Sequence, residues 1–269
     1  MEIWQAIILG IVQGVTEFLP ISSTGHLVVM QRVFGMEEPK LTFDVIVHVG
    51  SLVSIFVFFW KDIWALVKNP FCKFTGLLMV ASLPVVIAGF ALQDVIATDM
   101  RASWIVAGSF VITGFLLLIA DYFIARLGES RPAKTDADIT YLDALIIGVM
   151  QAFALMPAIS RSGVTLTGAL GRGLDRKAAT RFVFFMAIIT IAGAGALEAI
   201  GLIRDPGAVE AIGFAPLAVG FVLSAVVGYA SIGLLLRLIS SAKLRYFSYY
   251  VWGLAALIFV DMIFFNRFF

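Results

Sequence analysis

The chain has 269 residues, of which 61% are hydrophobic and only 14% charged, with 19 Lys and Arg against 18 Asp and Glu. Soluble domains carry about 25% charged residues, so this balance, with a mean hydropathy of +1.02, excludes a soluble globular domain and points to an integral membrane protein with the bilayer as its solvent. A net charge of +1 without a basic cluster argues against nucleic acid as a partner, and the single cysteine, Cys72, excludes an intrachain disulfide and a multi-cysteine metal site.

A helix that crosses about 30 Å of hydrocarbon needs about 20 apolar residues. Residues 2–18 are borderline for this, and they begin without the basic residues of a signal peptide, so they read as a retained helix. That helix runs into Glu17-Phe18-Leu19-Pro20-Ile21-Ser22-Ser23-Thr24-Gly25-His26, ten residues holding a carboxylate, three hydroxyls, a glycine and one of two histidines. Residues 25–36 are too short to cross. Together the two segments read as a helix–loop–helix that enters the membrane and turns back. Such a break is tolerated in lipid only where protein or a water-filled cavity surrounds the backbone. Its groups suit work on an anion: hydroxyls and free N–H groups bind oxygens, and Glu and His move protons. Taken alone, the stretch also reads as a polar turn whose Ser and Thr cap two helices. Residues 43–60, 74–92 and 104–122 follow as three full spans. His48, in the first of these, lies in no motif and reads as packed or interfacial.

Residues 123–140 are the one linker with a clear shift in composition. Beyond it, 141–156 and 163–172 repeat the short broken pair, and 182–203, 215–237 and 248–265 repeat the three spans. The repeat is explicit in the residues. Adding 138 carries Gly10 to Gly148, Gln13 to Gln151, Ile21 to Ile159, Ser22 to Ser160, Ser23 to Arg161, Thr24 to Ser162 and Gly25 to Gly163. Internal repeats around interrupted hydrophobic segments point to a binding site at the repeat interface. The expected fold is therefore all-α and integral to the membrane, a single domain over 1–269. It contains two inverted repeats (1–122 and 141–269, joined by 123–140), each a re-entrant helix–loop–helix plus three transmembrane helices.

Three crossings per half require the halves to be inverted, and charge tests this. The loops 61–73, 123–140, 172–181 and 237–246 fall on one side and hold 13 of the 19 basic residues. The other side holds Arg32, Lys40, Arg101, Arg204 and Arg267, and the last, Arg161, sits inside the second motif. The positive-inside rule puts the 13 in the cytoplasm and both termini outside. The two broken tips then meet near the bilayer centre, with the first motif against Arg161. Two helix N-termini and a guanidinium facing one cavity attract a phosphate or pyrophosphate. Intramembrane ionisable groups are functional candidates by default, and here they are Glu17, His26 and Arg161. Glu198 reads as snorkelling, Asp121, Asp143 and Asp261 as residues at or near span ends, and Gly193-Ala194-Gly195-Ala196 as a close helix approach.

Two motifs carry a family resemblance. Gln13-Gly14-Val15-Thr16-Glu17 with Ser22-Ser23-Thr24-Gly25-His26, and Pro157-Ala158-Ile159-Ser160-Arg161-Ser162-Gly163, resemble the (E/Q)xxxE, SSTGH and PGxSRSG elements of the undecaprenyl-pyrophosphate phosphatase family, also called the bacitracin-resistance protein family. Length, hydropathy and element order agree over essentially the whole chain. The chain departs from the family at Ala158, where glycine is usual, and at 186–190, where a proline often follows the Ala-Ile pair.

The resemblance implies a multi-pass plasma-membrane hydrolase. Its substrate would be a long polyprenyl pyrophosphate, cleaved to the monophosphate plus phosphate to recycle the lipid carrier of cell-wall precursors, at a site open to the outer face. Carried over by position, the catalytic residues are Glu17, Ser23, His26 and Arg161. Arg161 holds phosphoryl oxygens, His26 deprotonates a hydroxyl or water, Glu17 orients His26 or holds a divalent cation, and Ser23 is the candidate nucleophile, with water open as the other. Gln13, Ser22, Thr24, Ser160 and Ser162 are substrate-binding candidates. The resemblance also implies a Mg²⁺ or Ca²⁺ requirement. No complete ligand set is visible, so the cation, with Glu17 its one protein ligand, is expected to arrive with the pyrophosphate. A homodimer stays open. A transporter or flippase of the lipid phosphate is the second reading, because inverted repeats with broken helices also build transporters.

Overall fold

The computed structural model describes residues 1–36, 41–91, 102–126, 132–156, 158–204, 212–241, 244–265 and 267–269. Lys40, Arg101, Arg131, Pro157 and Lys243, and the side chains of Glu198 and Arg204, lie outside the described residues. The described regular structure is helical, apart from one isolated bridge between Lys134 and Leu174. The helices are α1 (Ile3–Thr16), α2 (Ser23–Val33), α3 (Leu41–Phe58), α4 (Trp60–Lys68), α5 (Lys73–Ala91), α6 (Ser103–Arg126), α7 (Tyr141–Phe153), α8 (Arg161–Gly171), α9 (Arg176–Arg204), α10 (Phe214–Ser241) and α11 (Arg245–Val260). Six stretches are long and apolar enough to cross a membrane: Leu41–Phe58, Lys73–Ala91, Ser103–Arg126, Arg176–Leu197, Phe214–Arg237 and Arg245–Phe265. The chain is a multi-pass membrane protein.

Two boundaries differ from the sequence reading, both at basic loops. The 61–73 loop contains α4. Trp60, Ile63, Trp64 and Val67 recur at helical spacing, with Lys61, Asp62 and Lys68 on other positions, so the segment is amphipathic. Helix α9 starts earlier than expected, at Arg176, because the Asp175 carboxylate accepts from the Ala178 amide at 2.7 Å and caps it. Arg176, Lys177 and Arg181 therefore ride on the first turns of a helix.

The short helices recur at fixed spacing. Helix α2 begins at 23 and ends at 33, and α8 begins at 161 and ends at 171, so both ends differ by 138. The packing partners also correspond. Helix α1 packs on α10, where a Cβ at Gly10 would stand 2.8 Å from the Gly220 carbonyl oxygen, and α7 packs on α5, with Gly148 against the Ala81 carbonyl. Both contacts bring backbone onto backbone, which small residues permit and larger ones forbid. Helices α6 and α11 pair through Trp252, whose Nε1 donates to the Val111 carbonyl at 3.0 Å. The main core runs through Phe110, Ile147, Leu170 and Phe182, each fully buried.

Next to the 172–175 loop, Asp143 anchors the linker. Its buried carboxylate accepts from Lys134 Nζ at 2.8 and 2.9 Å, Arg172 Nε at 2.7 Å and Thr140 Oγ1 at 2.7 Å. Burial opposes its ionisation, but these donors outweigh it and hold the carboxyl well below the usual carboxylate range.

Candidate functional site

The two motifs form their loops by the same local chemistry. Ser22 is the N-cap of α2, and its Oγ accepts from the Gly25 amide at 3.2 Å; Ser160 is the N-cap of α8, and its Oγ accepts from the Gly163 amide at 3.1 Å. Each cap leaves the first N–H groups of its helix free to bind an anion. The turns are tight: Ser22 has φ +71° and Ala158 has φ +66°, in the region that favours glycine. The departure at Ala158 thus falls where the backbone itself asks for glycine. Its side chain is buried against Gly25, where a Cβ would stand 2.9 Å away.

The tips touch. Ser162 Oγ donates to the Leu19 carbonyl at 3.2 Å, and Arg161 NH2 donates to Glu17 Oε1 at 2.5 Å. Glu17 ends α1 and its side chain is 3% exposed, against 26% for Arg161. The other Glu17 oxygen, Oε2, accepts from Ser23 Oγ at 2.6 Å and from Gln13 Nε2 at 3.0 Å. Arg161 also donates through NH1 to Thr190 Oγ1 at 2.9 Å. A candidate nucleophile, a carboxylate able to take its proton and a cation able to hold phosphoryl oxygens are therefore in one connected group.

The remaining candidates divide. Gln13 also donates to Ser51 Oγ at 3.3 Å, so it ties α1 to α3. Ser160 and Ser162 hydroxyls lie 3.2 Å apart, and Thr24 is half-buried in the first turn of α2. His26 stands elsewhere in the network. Its Nδ1 donates to the Ser22 carbonyl at 2.7 Å, so its Nε2 accepts from Tyr250 Oη at 2.8 Å. Both ring nitrogens are engaged away from Glu17 and Ser23. His48, by contrast, is not merely packed: its Nε2 lies 3.4 Å from Glu17 Oε2.

Sequence reasoning passed over His48, Ser51, Thr190 and Tyr250. A signal existed for the first two. Asp44, His48 and Ser51 recur at four and three residues along an otherwise apolar span, which puts them on one face. Thr190 and Tyr250 had no comparable signal.

A resident divalent cation does not fit this donor set. Hard cations take about six to eight oxygen ligands. Here one carboxylate is present, and its two oxygens already face Arg161, Ser23, Gln13 and His48. No cluster of three or more His, Cys, Asp or Glu occurs among the described residues. Beside the pair, a small pocket is lined by Glu17, Arg161 and Ser162 at one end and by Phe18, Leu166, Val183, Phe184 and Leu235 along its walls. It reaches Thr180 on the second turn of α9, so it runs from the pair toward the 172–175 loop.

The profile of the bacitracin resistance protein BacA family matches residues 6–257. The chain belongs to the BacA family. It is 38% identical over 260 residues to an undecaprenyl-diphosphatase of Carboxydothermus hydrogenoformans, covering 97% of each chain. It is 40% identical over 254 residues to undecaprenyl-diphosphatase 4 of Bacillus cereus, covering 94% of this chain and 95% of that one. An undecaprenyl-diphosphatase of Thermodesulfovibrio yellowstonii is 38% identical over 267 residues, 98% of this chain and 99% of its own.

Proposed function

We propose that this BacA-family chain is an undecaprenyl-diphosphatase: it hydrolyses undecaprenyl pyrophosphate to the lipid monophosphate and inorganic phosphate. The observation that carries the reading is the Ser23–Glu17–Arg161 chain, assembled from two motifs 138 residues apart. Ser23 Oγ attacks the terminal phosphorus while Glu17 Oε2 takes its proton. The bridging P–O bond breaks and its electron pair leaves with the lipid monophosphate. Water then attacks the phosphoserine phosphorus, the Oγ–P bond breaks, phosphate departs and the proton returns to Ser23. Arg161 and the free amides at the start of α2 and α8 hold the phosphoryl oxygens as charge develops on them. Ser162, on the pocket lining, and Thr24, in the first turn of α2, flank those oxygens, while Gln13, Ser22 and Ser160 hold the loops that present them. With both nitrogens engaged, His26 holds the strained Ser22 turn in this mechanism and Glu17 is the base. A divalent cation, which the resemblance implies, would come with the substrate and would offset phosphate charge, with Glu17 the one carboxylate here that would face it. The pocket, apolar along its walls, takes the head end of the prenyl chain. A lipid-phosphate transporter, the second reading of the sequence, has no use for a hydroxyl hydrogen-bonded to a buried base.

We read the architecture as two inverted repeats, 1–122 and 141–269, each with a re-entrant pair. The 138-residue spacing of α2 and α8, the crossed packing of α1 on α10 and α7 on α5, and the 13-to-5 division of basic residues support this. An outward-opening site in the plasma membrane rests on the resemblance and the charge rule. The pocket runs the other way, toward the basic side.

The test is phosphate release from undecaprenyl pyrophosphate by purified protein in detergent, with and without EDTA. Wild type should release phosphate, EDTA should suppress it, and Ser23→Ala and Arg161→Ala should each lose activity on the order of 10³-fold or more. Folded wild type that releases none, across cations and lipid lengths, refutes the reading. Ser23→Ala with near-wild-type turnover moves the nucleophile to water.

A further inference from the structure

Glu17 Oε2 is the oxygen that accepts the Ser23 hydroxyl, and its position is fixed from two sides. On one side stands Arg161. On the other stands α3, which supplies two groups one turn apart, His48 and Ser51. Ser51 Oγ donates to the Val47 carbonyl at 3.1 Å and accepts from Gln13, which in turn donates to Glu17 Oε2. His48 faces the same oxygen directly, at 3.4 Å. Its ring is fixed by its own helix: Nδ1 lies 2.6 Å from the Asp44 carbonyl oxygen. A carbonyl oxygen only accepts, so Nδ1 carries a proton and donates. That bond sets the rotation of the ring and turns Nε2 to the Glu17 carboxylate. Both nitrogens thus face oxygen atoms, one of its own helix and one of Glu17. The Asp44 carboxylate is turned elsewhere, accepting from Gln31 Nε2 at 2.6 Å.

We propose that His48 is a positioning residue of the phosphatase reaction: through Glu17 Oε2 it holds the base in line with Ser23. The inference rests on the reading of Glu17 as base and deepens it. Terminal carboxylate torsions are broad. A carboxylate held by Arg161 at one oxygen and by Gln13 and Ser23 at the other turns more freely than one that His48 also flanks. A displacement of about 1 Å at a reacting group costs on the order of 100-fold in rate.

Two polar substitutions separate the two nitrogens of the ring. His48→Asn keeps a donor near the Nδ1 position and cannot reach Glu17; His48→Gln puts an amide nitrogen near the Nε2 position. With both proteins folded by thermal unfolding, His48→Asn should lower kcat by roughly 10- to 100-fold with KM within about twofold. His48→Gln should stay within about threefold of wild type. Equal kcat in the two variants, or an effect confined to KM, overturns the inference. Wild type and Arg161→Ala, run alongside, report on the phosphatase reading separately. An inactive wild type refutes that reading, whereas an active wild type with indistinguishable Asn and Gln variants refutes the role of His48 alone.

Discussion

Replacing Arg161 with methionine removes one half of a buried ion pair and keeps most of the side-chain volume. Glu17 is then left 3% exposed, with neutral donors from Ser23 and Gln13 and the His48 ring beside it. Breaking one side of a buried pair costs about 3–5 kcal/mol, because the remaining charge stays desolvated. The donors left on Oε2 argue for the lower end, about 3 kcal/mol, which lowers the unfolding midpoint of a chain of this size by on the order of 10 °C. The double variant Glu17→Gln/Arg161→Met removes both charges. Two neutral groups of similar shape in a buried site approach the stability of the original pair, so the double variant should unfold at a higher temperature than Arg161→Met alone. The coupling expected from the cycle is about 1–3 kcal/mol. Thermal unfolding of the four proteins in one detergent measures it, and phosphate release measures the other consequence: stability returns in the double variant and activity does not. Additive midpoints would show that Glu17 and Arg161 do not bear on each other in the folded protein, and the assembly of the site from two motifs would fail with them.

Gly148→Ala should destabilise by about 1–3 kcal/mol, because its Cβ meets the Ala81 backbone and not a movable side chain, whereas Gly253→Ala, with nothing within 4 Å, should be neutral or stabilising by up to about 1 kcal/mol; thermal unfolding distinguishes them. Asp143→Asn should lower the midpoint at neutral pH by the equivalent of about 2 kcal/mol, as charged hydrogen bonds to Lys134 and Arg172 are lost. Because the Asp143 carboxyl is held below its unfolded value of about 3.9, its stabilisation is full above that pH and fades as pH falls through the folded value; the gap between wild type and Asp143→Asn should therefore narrow as the pH is lowered below about 4, and a gap that widens refutes the assignment. Lys177→Cys, at an exposed position of the same basic segment, in a Cys72→Ser background should react with a membrane-impermeant maleimide in inside-out vesicles and be spared in right-side-out ones, and the reverse pattern would reverse the orientation drawn from the basic loops.

What the sequence disclosed, and what it hid, follows from the range of each signal. Apolar runs are local, so the six long helices and the short pairs were legible to within a few residues, except at the start of α9, where basic residues ride on the first turns. The 138-residue shift was legible because both loops are built by one local device, a serine N-cap answered by a glycine amide three residues on. Helix α4 was hidden because its Lys61, Asp62 and Lys68 read as loop charge, although the amphipathic spacing of Trp60, Ile63, Trp64 and Val67 was there. The contents of the site were partly legible. Glu17, Ser23 and Arg161 sit in motifs dense in polar residues. Thr190 and Tyr250 reach the site from α9 and α11 outside any motif, and only tertiary packing reveals them. The Tyr250 partner of His26 was hidden for the same reason: it lies 224 residues away.

The position of Glu17 ties folding to chemistry. Its neighbours come from α1, α2, α3 and α8, that is, from both sides of the linker. Neither half alone supplies them: the first provides Gln13, Ser23 and His48, and the second provides Arg161. In a medium without water to replace a missing donor, an incompletely surrounded carboxylate is expensive and takes up a proton. A protonated Glu17 cannot accept the Ser23 proton. The base is therefore competent only when the two tips are docked and Arg161 is in place. The same contact that stabilises the docked halves also sets the charge on which the proposed reaction depends, so substitutions that loosen the α2–α8 tips, even without touching Ser23, should lower turnover in step with the loss of the Glu17–Arg161 pair.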